Sequence, residues 1–138
     1  MDPDTKALLT NARQGLLRLH KTLLDWERSH YERTHGRQSI GDLLNAFLQH
    51  PQFAWLRPMS QLIVRIDEML ADAAQPTAAD AEGVLAQLRV LTSVGDSAEG
   101  DTRRYDQALQ ENPETVFAHR DLMALVSPSR QDDRPAST

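Results

Sequence analysis

Residues 8–31 read LLTNARQGLLRLHKTLLDWERSHY, and the fold class turns on them. With successive residues placed 100° apart, Leu8, Leu9, Ala12, Leu16, Leu17, Leu19, Leu23, Leu24, Trp26 and Tyr31 fill roughly half of a helix circumference. An arc that wide touches two neighbouring helices and so favours a bundle over a simple hairpin. Upstream, Asp2-Pro3 reads as an N-cap with proline at the first helical position, and downstream Gly36 terminates the helix after His35. At about 1.5 Å per residue the segment would extend roughly 50 Å. A domain of this size has a radius of gyration of only about 14 Å. The helix must therefore protrude, bend at Gly15, or pack against a second subunit.

Working outward, Ser39-Ile40-Gly41-Asp42 looks like a capping box opening a second helix through Gln49. Pro51 and Pro58 bracket an aromatic connector, 51–57, and Pro58 starts a third helix that reaches Ala74. Met59, Leu62, Ile63, Ile66, Met69 and Leu70 form its apolar stripe. Thr77-Ala78-Ala79-Asp80 caps a fourth helix to Val94, whose stripe is Ala81, Val84, Leu85, Leu88 and Leu91. After a polar loop at 95–100, residues 101–111 and 113–126 form a helical hairpin turning at Asn112-Pro113. Its last helix (Val116, Phe117, Leu122, Met123, Leu125, Val126) is apolar around most of its circumference, as a helix buried on several sides or borrowed by a partner would be. No stretch alternates with period two. The expected architecture is all-α: an irregular, mainly antiparallel bundle of five to six helices. It occupies one domain, 1–126, with a disordered tail at 127–138.

Composition narrows the function. A net charge of −5 lacks the basic footprint of nucleic-acid binding, and no run is long and apolar enough to span a membrane. The acidic start Met1-Asp2-Pro3-Asp4 is no secretory signal, and the absence of cysteine excludes disulfides and thiolate sites. These features predict a cytoplasmic protein. Arginine and alanine in excess over lysine suggest a GC-rich bacterial source.

The residues out of place lie in the first helix. His20 and Glu27 fall inside the apolar arc, and with Leu24 and Tyr31 they form one line at i, i+4, i+7, i+11. A buried carboxylate or imidazole is costly unless paired, so something must face this line. One reading is a metal held by Glu27 and His30 in E-x-x-H spacing, although no other helix carries a copy of that motif. Another is a ligand pocket of His20, Glu27, Tyr31, Trp55 and Arg65. The structural reading pairs Glu27 with an arginine such as Arg65 or Arg57 and leaves His20 and Tyr31 hydrogen-bonded in the core. Trp55, among prolines and beside Arg57, serves as a hydrophobic plug, a ligand wall or a protein-contact hot spot.

Tyr105-Asp106-Gln107-Ala108-Leu109-Gln110-Glu111-Asn112-Pro113, followed by Ala118, resembles the junction between successive tetratricopeptide repeats. The resemblance covers residues 102–124. The 34-residue period of such a solenoid is missing upstream, so the segment is read as a compact hairpin with the same turn chemistry. No serine elbow, phosphate loop, H-E-x-x-H or calcium loop is present. The sequence therefore predicts a non-enzymatic interaction or regulatory module without a cofactor. It partners itself as a dimer, or another protein, but neither nucleic acid nor membrane. The alternative is a metal- or small-ligand-binding bundle built on Glu27, His30 and His20.

Overall fold

The longest helix organises the rest. In the computed structural model, which describes residues 3–93 and 101–126, α1 runs unbroken over Pro3–His35. Leu9, Ala12, Leu16, Leu19 and Leu23 are at most 1% exposed along it, each leucine worth about 1.5–3 kcal/mol of transfer. Their arc is covered by α3 (Arg57–Ala71), α4 (Ala78–Leu91) and α6 (Pro113–Val126), so the wide stripe does touch several neighbours. Leu17, counted in that arc from the sequence, instead stands 40% exposed. The remaining elements are α2 (Ile40–Gln49), a 3-10 helix (Pro51–Leu56) and α5 (Asp101–Glu111). The result is an irregular, mainly antiparallel all-α bundle, with no strand among the described residues.

Local chemistry sets the boundaries. α1 stops where Gly36 takes a φ of 84°, its N–H donating to the Glu32 carbonyl at 2.8 Å. Thr77 and Asp80 form a reciprocal capping box at α4. Ser39 manages half of one, its hydroxyl accepting from Asp42 N–H at 3.1 Å. The third helix begins one residue before Pro58 and ends at Ala71, three residues short of its expected end, because Asp72 leaves helical geometry (ψ 126°). The expected cap at Asp2, the loop at 95–100 and the tail at 127–138 lie outside the described residues.

Gly15 is a crossing point. A Cβ there would lie 2.5 Å from Leu122 Cδ1 and 3.3 Å from Leu122 Cα, so α6 can sit this close only because the side chain is missing. Ala118 and Leu122 are buried on the facing side of α6. The α5–α6 hairpin turns at Asn112, whose side chain accepts from Glu114 N–H and donates to Thr115 Oγ1. Tyr105, 1% exposed, places its hydroxyl against His119 Nδ1 across the hairpin.

Candidate functional site

Glu27 is completely buried and completely satisfied. Arg104 of α5 meets it bidentately, Nε to Oε1 at 2.8 Å and Nη2 to Oε2 at 2.5 Å. Gln52 Nε2 donates to Oε2 at 3.0 Å and Trp55 Nε1 to Oε1 at 2.8 Å, both from the 3-10 helix. Burial alone would push this carboxyl up. The hydrogen bonds from Arg104, Gln52 and Trp55, with the guanidinium charge, outweigh that and hold it below the usual carboxylate range. Glu27 thus ties α1, the 3-10 helix and α5 together through one side chain.

Arg104 is itself fixed from three sides. Its guanidinium lies 4.3 Å from the Trp26 ring centre, and Nη1 donates to Gln107 Oε1 at 2.7 Å. Gln107 in turn donates to Glu111 at 2.9 Å, and His30 Nε2 lies 3.2 Å from the other Glu111 oxygen. Trp26 packs edge-on against both His30 and Trp55. His30, placed beside Glu27 by E-x-x-H spacing, therefore faces Glu111. No group of three or more histidines and acids that could hold a metal occurs among the described residues.

The other sequence candidates scatter. Arg65 donates to Gln87 at 2.9 Å on the α3–α4 seam. Arg57 spans the end of α2, its Nη2 donating to the carbonyls of Phe47 and His50 at 3.1 Å each. Neither is the partner of Glu27: that expectation is corrected to Arg104, 77 residues away in sequence. Tyr31 stacks on His35 with ring centres 4.2 Å apart and meets His50 and Phe53 at 5.1 and 5.3 Å. With Gln38, Asp42, Asn45, Gln49 and His50 it lines a polar cleft of about 380 Å³. His20 sits edge-on to Phe47, and its Nε2 is buried with no hydrogen-bond partner. The core hydrogen bond expected of that imidazole nitrogen is absent, and burial pushes its pKa down.

The largest unexpected feature is on α2. On a helical wheel Ala46, Leu43 and Phe47 occupy one flank and Ile40, Leu44 and Leu48 the next, a continuous apolar arc of roughly 200°. The fold covers only the first flank. Ile40, Leu44 and Leu48 stand 84%, 57% and 59% exposed. Their polar neighbours Asp42, Asn45 and Gln49 face the cleft beside Tyr31 instead. A second apolar region surrounds the α1–α6 groove, about 560 Å³, where Gly15, Ala118, Ala124 and Leu125 lie beside the Arg18–Asp121 ion pair. Leu17, Val116 and Phe117 are also partly exposed. No helix among the described residues is long and apolar enough to cross a membrane.

Comparison with protein-family models, with curated proteins and with solved structures finds no match to this chain.

Proposed function

We propose that this protein is a non-enzymatic helical interaction module that self-associates, working in the cytoplasm, a setting its lack of cysteine suits. The exposed aliphatic stripe of α2 carries this reading. Single exposed hydrophobics are ordinary, but three branched side chains in one row at i, i+4, i+8 form a contiguous face. Burying such a face is worth about 1.5–3 kcal/mol per side chain before the cost of association. The polar line offers less to a ligand. Each Glu27 oxygen already accepts two donors, so the line works as an internal clamp. Sedimentation velocity between about 10 µM and 1 mM tests the reading. A concentration-dependent dimer is expected, and a strict monomer across the range refutes self-association.

One observation favours a small-ligand or metal site along His20, Glu27 and His30: the unpartnered Nε2 of His20. Native mass spectrometry of protein purified without chelators decides it. An adduct lost on His20→Leu would bring this reading forward, and bare protein would retire it.

A further inference from the structure

Resting on self-association, we infer that the docking surface is the α2 stripe, where two copies pair antiparallel about a two-fold axis beside Leu44. The row is symmetric about its centre. Rotation by the two-fold sets Ile40 against Leu48 of the partner subunit and Leu44 against the partner's Leu44, the self-complementary arrangement of an isologous dimer. All three residues are branched aliphatics, so every pairing is apolar on apolar.

Charge points to a second copy over a foreign partner. The only charged residue of α2 is Asp42, which lies on its polar arc away from the stripe. Gly41, Leu43, Asn45 and Phe47, which flank the stripe, are all uncharged. Interfaces that select a different protein do so largely through complementary charges at the rim, and this row has none within its helix to be read. On a molecule of charge −5, it is also a face that identical copies can bring together without setting like charges directly opposite.

The area sets the strength. A face confined to one ten-residue helix, about 15 Å long, covers less area than the roughly 800 Å² per partner of a stable complex. The dimer is therefore weak.

Because the chain has no cysteine, single-cysteine variants report the geometry. With a thiol cross-linker reaching about 8 Å, Leu44→Cys should couple to itself at about 1 mM. Ile40→Cys alone and Leu48→Cys alone should not, because the two-fold separates like positions by about 12 Å. A mixture of those two variants should couple. Far-UV circular dichroism establishes that each variant is folded. If the wild type dimerises but coupling occurs only at Leu17→Cys or Leu125→Cys, the α2 assignment falls while self-association stands. Self-coupling at Ile40→Cys and Leu48→Cys would overturn the antiparallel arrangement. A wild type that stays monomeric at 1 mM removes both.

Discussion

Arg104 is the residue on which the interior depends, because it neutralises a carboxylate that no water reaches. Removing one member of a buried pair leaves an uncompensated charge, so Arg104→Ala should lose about 3–5 kcal/mol of stability in urea unfolding. The linkage is specific. Glu27 has a folded pKa below its ordinary 4.5, so the pair's contribution is present above that pH and lost as pH falls through the folded value. The gap between Arg104→Ala and wild type should therefore narrow on acidification, and a constant gap would show that the variant fails for another reason. His20 has the opposite charge type and no partner to support it. Its pKa is lowered from 6.5, so the unfolded chain binds the extra proton first and stability declines as pH drops below 6.5. His20→Leu should gain about 1 kcal/mol at neutral pH by removing the orphaned nitrogen, and should flatten that decline. That Glu27 needed a partner was legible from its place in an apolar arc. Which arginine was not, since nothing local marks a residue in a different helix. Gln52 was equally silent, because a polar side chain in a connector carries no periodic signal.

At the scale of elements, caps and prolines were readable because they are chemistry of adjacent residues. Ser39, Thr77, Gly36 and Asn112 fix four boundaries through bonds made within a few positions. Crossings between helices obey no such rule. Gly15 looked like a place to bend, whereas the structure uses it to let Leu122 approach. Gly15→Ala should cost about 1–3 kcal/mol by overpacking, despite alanine's better helix propensity. The displaced atoms include the Leu122 Cα, which a rotamer change cannot move. Gly83→Ala supplies the contrast. It sits at an exposed position of α4, where the nearest atom to a Cβ is the end of Arg65 at 3.5 Å, and it should gain about 0.5–1 kcal/mol. Thermal melts of the two variants must move in opposite directions if the close crossing, and not glycine flexibility, is what Gly15 supplies.

Seen whole, the molecule carries apolar surplus in two places, and the one on α2 is kept apart from charge. Surplus on the first and last helices was expected from the sequence, and Leu17, Val116, Phe117 and Leu125 do remain partly exposed. The surplus on α2 escaped notice because a ten-residue helix with an apolar arc looks like a buried one until its neighbours are known. Those neighbours reach only the flank of Leu43, Ala46 and Phe47. This separation makes the ionic-strength dependence of self-association diagnostic. Two copies of charge −5 repel at long range, while the α2 row contributes no charge of its own to the contact. Raising the salt from about 0.01 M to 0.15 M shortens the screening length from about 30 to 8 Å and removes repulsion without touching the aliphatic contact. Dimerisation measured by sedimentation should therefore tighten several-fold over that range. Weakening with salt would mean that attraction between opposite charges holds the copies together, a contact the α2 face cannot supply.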